Sequence, residues 1–183
     1  MSKMNLIIIG AGQYGSVVEE IAKALGYDKI DFLDDNNGTA MAKTSGFEQY
    51  INEYKYAICA IGKSEIRLEW ITKLRKAGYE VPSLTHPQAY VSESAKICMG
   101  TIVEPMAVVH ANTTISVGCI ISANATVNHN SVCHEGCHID CGAVVASSTT
   151  VPKGTKVENG VVYTASKTPD VINGRVYSFD DVM

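Results

Sequence analysis

The sequence of 183 residues predicts a small parallel α/β domain over residues 1–84 and a parallel β-helix over residues 85–163, followed by a tail over residues 164–183. Two observations lead to this fold class. Branched aliphatic residues recur every six positions in the second half, and short apolar runs alternate with helical patterns in the first half. A chain of this length can form one large domain or two small ones.

The second half repeats with a period of six residues. Eleven of its twelve periodic positions hold Val or Ile, and the remaining one holds Cys. These positions are Val91, Ile97, Val103, Val109, Ile115, Ile121, Val127, Cys133, Ile139, Val145, Val151 and Val157. The residue two places before each of them is small, and Gly, Asn or Ser dominates three places after it.

A period of six corresponds to one short strand and one turn, and three such units close a triangular coil of about 18 residues. Branched side chains fill the interior of the coil, and Gly or Asn tolerates the positive φ of the turn. Each coil buries its core only against its neighbours. The alternative is a β-sandwich with irregularly spaced strands, which twelve uninterrupted repeats disfavour.

Strand and helix patterns alternate in residues 1–84, which indicates a small parallel sheet. Strands are predicted over residues 6–9, 29–33, 56–61 and 81–84, with one helix that ends at Leu25 and another over residues 64–77. Apolar residues of the first helix, such as Val18, Ile21 and Leu25, lie on one face at helical spacing.

The loop over residues 10–15 fits the pattern G-x-G-x-x-G, and Asp34 follows about 20 positions later. Glycines at Gly10, Gly12 and Gly15 would let backbone N–H groups and a helix N-terminus approach an anion. The first interpretation is an NAD site, but residues 1–84 provide only about half of a dinucleotide fold. A mononucleotide or nucleotide-sugar site fits this size better, and a tight turn without a ligand is the alternative.

Composition excludes several classes of protein. The net charge is −4, whereas a nucleic-acid surface needs clustered Lys and Arg. No apolar run approaches the roughly 20 residues of a membrane span, and the run over residues 6–9 is too short for a secretory signal. We therefore expect a cytoplasmic protein that binds neither nucleic acid nor membrane. Its six cysteines are then reduced thiols: Cys59, Cys98, Cys119, Cys133, Cys137 and Cys141.

A Rossmann-like domain joined to a left-handed parallel β-helix resembles the sialic-acid O-acetyltransferase family, which includes N-acetyltransferases of nucleotide-linked amino sugars. The resemblance covers residues 4–162. The motifs that carry it are the glycine loop over residues 7–15, Phe32-Leu33-Asp34-Asp35, Ile61-Gly62 with Glu65-Ile66-Arg67, His86-Pro87, Val127-Asn128-His129-Asn130, and His138-Ile139 with Gly142-Ala143.

The resemblance implies transfer of an acetyl group from acetyl-CoA to an amino or hydroxyl group of a nucleotide-linked sugar, for surface glycan biosynthesis. His129 matches the general base, a task that suits a neutral imidazole, and Asn130 stands beside it. His138 matches a position near the thioester, and Gly142 and Ala143 match the CoA groove. A homotrimer with sites between neighbouring prisms is implied. The residues matched to the nucleotide site are Gly10, Gly12, Tyr14, Gly15, Asp34 and Asp35.

The sequence departs from the family pattern at three points. Asn128 and Asn130 stand where the family usually has Asp or Glu beside the histidine, and an amide cannot stabilise imidazolium as an anion would. Tyr14 replaces the usual histidine of the glycine loop. The regular repeats end near residues 157–160. A catalytically silent sugar-nucleotide-binding or scaffold protein is therefore the alternative function.

A metal site is a less favoured alternative. His129 and His134 have the spacing of a histidine pair in the γ-class carbonic anhydrases, but the third histidine would lie near Glu93. Cysteines also recur at every fourth residue from Cys133 to Cys141. Because two of these three occupy the periodic core and corner positions, we expect structural thiols and no metal.

Overall fold

The computed structural model describes residues 4–164 and the backbone of residues 170–172 and 175–177. Its first part is a three-stranded parallel sheet in the order β2-β1-β3, with helices following β1 and β3. The elements are β1 (Asn5–Ile9), α1 (Gln13–Ala24), β2 (Lys29–Leu33), a 3₁₀ helix (Thr44–Tyr50), β3 (Tyr56–Cys59) and α2 (Ser64–Ala77). Neither α-helix is long and apolar enough to cross a membrane.

The central strand β1 explains why this part folds as a layered sheet. Four of its five residues, Leu6–Ile9, are completely buried, as expected for a parallel strand covered on both faces. The predicted fourth strand over residues 81–84 is wrong. Only Glu80 pairs with the edge of the sheet, at Tyr56, because the chain then leaves the sheet at Pro82, which has no N–H for a ladder.

The second part is a β-helix of two-residue strands, each paired in parallel with the strand 18 residues later, which confirms the predicted repeat. We call its three sheets faces 1, 2 and 3, in the order in which the chain visits them. Face 1 contains β4 (Leu84–Thr85), β7 (Ile102–Val103), β10 (Ile120–Ile121), β13 (His138–Ile139) and β16 (Lys156–Val157). Face 2 contains β5 (Tyr90–Val91), β8 (Val108–Val109), β11 (Thr126–Val127), β14 (Val144–Val145) and β17 (Val162–Tyr163). Face 3 contains β6 (Lys96–Ile97), β9 (Thr114–Ile115), β12 (Val132–Cys133) and β15 (Thr150–Val151).

The interior of the prism is filled by the periodic residues, which form one buried core from Val103 to Val157. Most of the small residues two places earlier are also buried, and several with a hydroxyl or thiol donate hydrogen bonds to backbone carbonyls of the turns. Thr113 donates to the carbonyl of Asn128 at 2.9 Å, and Cys119 donates to that of His134 at 3.1 Å. Cys137 does the same for Pro152, so these cysteines replace Ser or Thr as corner donors.

Turns join the faces along three edges, and from Gly100 to Gly160 each turn places one residue at positive φ. We name the edges by the faces that they join. Edge 1–2 has Met106, Asn124, Gly142 and Gly160 at this position. Edge 2–3 has Asn112, Asn130 and Ser148. Edge 3–1 has Gly100, Gly118, Gly136 and Gly154.

The sheet domain packs on face 1, so the two parts share a core. The outward side chains of Leu84 and Ile102 cluster with Leu6, Ile8 and Val18. Farther along face 1 the outward side chain of His138 is half-buried. The covered part of face 1 therefore ends close to His138.

The described part of the tail forms an antiparallel pair, β18 (Asp170–Ile172) with β19 (Arg175–Tyr177). Most of the predicted tail over residues 164–183 otherwise lies outside the described residues. Pairing within the β-helix continues to Val162–Tyr163, one strand beyond the regular sequence repeats.

Candidate active site

The glycine loop leads from β1 into α1. Gly10 has a φ of +104°, and Gly12 precedes the first residue of the helix. A Cβ at Gly12 would meet no atom within 4 Å, whereas one at Gly15 would lie 2.4 Å from the carbonyl oxygen of Gly10. Gly15 therefore allows close packing of loop and helix, and Gly12 leaves open space beside a helix N-terminus, where anions are stabilised.

Asp34 fastens the glycine loop to the segment after β2. Its carboxylate accepts hydrogen bonds from the N–H groups of Ala11 at 2.9 Å, Asn36 at 2.7 Å and Asn37 at 3.0 Å. These bonds, that of Asn36 first, lower the pKa of Asp34 from its ordinary value. Asp34 is thus held ionised as a brace of the loop.

Asp35 lies on the outer side of the same segment. Its carboxylate accepts hydrogen bonds from the backbone N–H and the hydroxyl of Thr44, both at 2.9 Å. Between Asp34 and Lys43 the segment lines a shallow, open pocket of about 340 Å³. The pocket adjoins the loop that the sequence assigned to a nucleotide.

Tyr14 turns its side chain toward the β-helix. Its hydroxyl is buried and makes no hydrogen bond with any group in the described part of the chain. Burial raises the pKa of Tyr14 well above its ordinary value, and the carboxylate of Glu104 raises it further. Glu104 in turn accepts a hydrogen bond from the N–H of Ala123 at 3.0 Å. Tyr14 therefore lies at the junction between the glycine loop and edge 1–2.

Arg67 joins the two parts of the molecule, a role that the sequence analysis did not predict. It is completely buried. Its guanidinium donates to the carbonyls of Gly118 at 2.6 Å and Gly136 at 2.9 Å on edge 3–1, and to those of Ile61 at 2.9 Å and Gly62 at 2.7 Å after β3. Burial lowers the pKa of Arg67 from its ordinary value.

His129 lies on edge 2–3, two residues after the end of β11, and its side chain is exposed. Its backbone is held on both sides. The N–H donates to the side-chain oxygen of Asn128 at 3.0 Å, and the carbonyl accepts from the N–H of Ser148 at 2.9 Å. Nδ1 of the ring lies 3.2 Å from the amide nitrogen of Asn130. The ring is therefore open to solvent on a fixed backbone.

His138 occupies a different environment on face 1. Its side chain is 19% exposed, and Nε2 lies 3.1 Å from the hydroxyl of Ser122 and 3.7 Å from the carboxylate of Asp140. Burial lowers the pKa of His138, which the nearby Asp140 partly offsets. Lys156 pairs with Asp140 at 3.1 Å. His138 is thus a neutral imidazole at neutral pH.

Gly142 and Ala143 lie on edge 1–2. Gly142 has a φ of +66°, and a Cβ there would meet no atom within 4 Å. Ala143 is buried in the prism core, so only its backbone can line a groove. The open surface at this edge therefore comes from Gly142.

The two histidines do not meet within one chain. Edge 2–3, which holds His129, is the vertex of the triangular prism opposite face 1, from which His138 projects. Tyr14, Glu104 and Ala123 instead connect the glycine loop with the region next to His138 through Ser122. One chain therefore carries two separate groups of candidate residues.

Within the described residues, no group of three or more His, Cys, Asp or Glu side chains is arranged to hold a metal ion. His134 follows β12 and lies on edge 3–1, so it is on a different edge from His129. Cys133 is buried in the prism core and Cys137 is a corner donor.

Known proteins match this chain over both parts. The family model for the PglD N-terminal domain matches residues 5–74. The acetyltransferase domain of PglB from Neisseria gonorrhoeae FA1090 is 33% identical, with a TM-score of 0.82 over 87% of this chain and 82% of that one. The same domain in complex with acetyl coenzyme A gives a TM-score of 0.83 over 88% of this chain and 82% of that one.

A more distant structure shares the fold. PerB from Caulobacter crescentus, in complex with CoA and GDP-perosamine, is 20% identical, with a TM-score of 0.70 over 91% of this chain and 92% of that one. The left-handed β-helix, the α/β part and the identity to the PglB domain agree with one another. The chain therefore belongs to the sugar acetyltransferases of the hexapeptide β-helix family.

Proposed function

We propose that this enzyme transfers the acetyl group of acetyl-CoA to an amino or hydroxyl group of a nucleotide-linked sugar, in the biosynthesis of surface glycans. His129 acts as the general base. The observation that carries the proposal is the pairing of an open glycine loop for the acceptor with an exposed histidine on a fixed β-helix edge. The solved acetyltransferase domain with acetyl coenzyme A supports the donor.

The acceptor site is supported by the geometry of the loop. The open space beside Gly12 adjoins the N-terminus of α1, which favours a diphosphate. Asp34 holds the loop in place through Ala11, so the loop is preorganised before a ligand arrives. The complex of PerB with GDP-perosamine, a nucleotide-linked sugar, agrees with this choice of acceptor class.

The proposed chemistry is a direct transfer. The acceptor nitrogen or oxygen attacks the carbonyl carbon of the thioester, and His129 takes the proton that the acceptor loses. The tetrahedral intermediate then expels the CoA thiolate, which is protonated on release. A positioned base of this kind contributes typically about 10²–10⁴-fold to the rate.

We further propose a homotrimer whose sites lie between copies. His129 is on the vertex opposite face 1, so a neighbouring copy is needed to bring a His129 near the glycine loop and His138. The outward side chains of face 2 suit such contacts, since Tyr90 and Val162 are apolar and 59% and 62% exposed. Light scattering should give about three chains per particle, and a stable monomer would contradict this arrangement.

The function is tested by incubating the protein with acetyl-CoA and a panel of UDP- and dTDP-linked amino sugars. Thiol release reports turnover, and mass spectrometry of the product distinguishes N-acetylation from O-acetylation. We expect thiol release that depends on one acceptor. If acceptors bind without any acetyl transfer, the silent-scaffold alternative replaces the proposal, and the amides at Asn128 and Asn130 would mark the loss of chemistry.

A further inference from the structure

Side chains of successive coils form a hydrogen-bonded ladder along edge 2–3. The hydroxyl oxygen of Ser94 accepts from the backbone N–H of Asn112 at 3.0 Å. The amide nitrogen of Asn112 donates to the amide oxygen of Asn130 at 3.2 Å. The amide nitrogen of Asn130 lies 3.2 Å from Nδ1 of His129. The ladder therefore ends on the ring of the proposed base.

The backbone holds the ladder in register. Asn112 and Asn130 both have a φ near the left-handed region, +57° and +58°, and they lie 18 residues apart, one complete coil. The N–H of Asn130 donates to the carbonyl of Ala111 at 3.0 Å. Because both amides are fixed at their Cα atoms, rotation about the last side-chain bond is the simplest change that exchanges their oxygen and nitrogen.

The direction of the ladder determines which ring nitrogen of His129 carries the proton. An amide NH₂ can only donate, so Nδ1 must accept from Asn130 and the ring proton lies on Nε2. In that tautomer the only lone pair of the ring is already engaged. If the amide of Asn130 turns over, its oxygen accepts from Nδ1–H, and Nε2 becomes the accessible base.

We propose that Asn112 is a positioning residue which, through Asn130, selects the tautomer of His129. Its consequence for the reaction rests on the proposed function of His129 as base. While Asn112 donates to the oxygen of Asn130, the amide nitrogen of Asn130 faces the ring and the base is held in its resting tautomer. When Asn112 presents an acceptor instead, Asn130 turns and frees Nε2.

The substitution Asn112→Asp tests the relay because a carboxylate can only accept. Asn130 must then donate to residue 112 and present its oxygen to His129. Asp also tolerates the left-handed backbone of this position. With ¹⁵N-labelled histidine, long-range ¹H–¹⁵N spectra at a pH above the imidazole titration distinguish the tautomers, and the His129→Ala spectrum assigns the signal among the five histidines.

We expect the wild type to show mainly the Nε2–H form of His129 and Asn112→Asp to show mainly the Nδ1–H form. The value of kcat should rise by about 3- to 10-fold, because the competent fraction limits the apparent rate, while KM for both substrates stays unchanged. Asn112→Gly, which suits the positive φ, removes the donor and should give a mixture of the two forms.

A double variant separates the relay from the added charge. Asn112→Asp combined with Asn130→Gly keeps the carboxylate and removes the connecting amide. Both effects of Asn112→Asp, the shift of His129 to the Nδ1–H form and the increase in kcat, should then be lost. The proposal would be overturned if Asn112→Asp left the tautomer of His129 unchanged, or if the double variant changed the tautomer as much as Asn112→Asp alone. If His129→Ala retained full activity, the base assignment would fail, and the spectra would still decide the relay.

Discussion

Edges 3–1 and 2–3 of the prism have the same backbone turn and different side chains. Every described turn on edge 3–1 places Gly at positive φ, whereas edge 2–3 uses Asn112, Asn130 and Ser148. The difference follows from what lies against each edge. Helix α2 covers edge 3–1, and a Cβ at Gly118 would lie 2.7 Å from Cδ1 of Ile71.

The positive φ of the backbone therefore does not by itself determine which residue occupies these turns. Asn tolerates the left-handed region nearly as well as Gly, so a turn facing solvent can keep a polar side chain. A turn beneath a packed helix cannot, because any Cβ would enter the contact. Edge 3–1 is bound to the α/β part through the hydrogen bonds of Arg67, and edge 2–3 exposes polar side chains next to His129.

The largest expected effect comes from edge 2–3. His129→Ala should lower kcat by about 10²–10⁴-fold, since the acceptor proton loses its base, with the affinity for both substrates nearly unchanged. His134→Ala removes an exposed histidine from edge 3–1 and should have no effect on kcat. Steady-state kinetics with thiol detection measures both. Full activity in His129→Ala would transfer the role to another residue, with His138 the next candidate.

Substitutions on edge 3–1, which α2 covers, should lower the stability of the fold. Gly118→Ala adds a Cβ beneath Ile71 and Leu68 and should lower the free energy of unfolding by about 2–4 kcal/mol, from backbone strain and overpacking together. Gly142→Ala has nearly the same φ and open space around it, so it should cost only about 1 kcal/mol of strain. Urea unfolding at equal protein concentration compares them. Equal losses would show that α2 does not explain the glycines.

The glycine loop provides a similar contrast inside the α/β part. Gly12→Val places a side chain in the open space beside the loop and should raise the KM for the acceptor by about tenfold or more, with the KM for acetyl-CoA unchanged. Thermal unfolding should match the wild type. Gly15→Ala, whose Cβ would meet the carbonyl of Gly10, should instead destabilise the fold. Tight NAD binding without affinity for nucleotide sugars would favour a dehydrogenase-like site.

The smallest expected effect concerns charge beside His129. Asn130→Asp places a carboxylate next to Nδ1, which stabilises imidazolium and orients the ring. The protonated, inactive form then persists to higher pH, so the midpoint of the pH–kcat profile should move upward, and the plateau rate above it should rise. Asn124→Asp adds the same charge at a φ of 58° on edge 1–2 and should leave the midpoint in place.

The sequence predicted the β-helix well because its information is local and repeated. The period of six fixes which residues fill the prism, and the 18-residue spacing fixes which residues stack. That spacing also aligns Asn112 with Asn130, so the sequence could have predicted that the two side chains stack. It could not predict the directions of their hydrogen bonds, because these depend on how two amides and one ring are oriented together.

The junction could be predicted less well. Arg67 lies in a helix with charged neighbours, Glu65 and Glu69, and nothing in that local pattern indicates complete burial. Its partners are backbone carbonyls, which leave no trace in the sequence. The one available signal was the run of glycines at 18-residue spacing, three of which, Gly100, Gly118 and Gly136, leave no room for a Cβ beside α2. The sequence placed Gly12 and Asp34 at the glycine loop and His129 on the β-helix, and the structure has them there. Their roles in acceptor binding and catalysis stay predictions.

The central claim is that one copy supplies the acceptor site and another supplies His129. It is tested most directly by co-expressing a Gly12→Val chain with a His129→Ala chain and assaying at an acceptor concentration below the wild-type KM, where each chain alone should retain about one tenth of the wild-type rate or less. If the site is shared, mixed oligomers contain intact sites, and activity should recover to about one quarter of the wild type at equal mixing. If each chain carries a complete site of its own, no mixed oligomer has an intact one, and the absence of recovery would contradict the account.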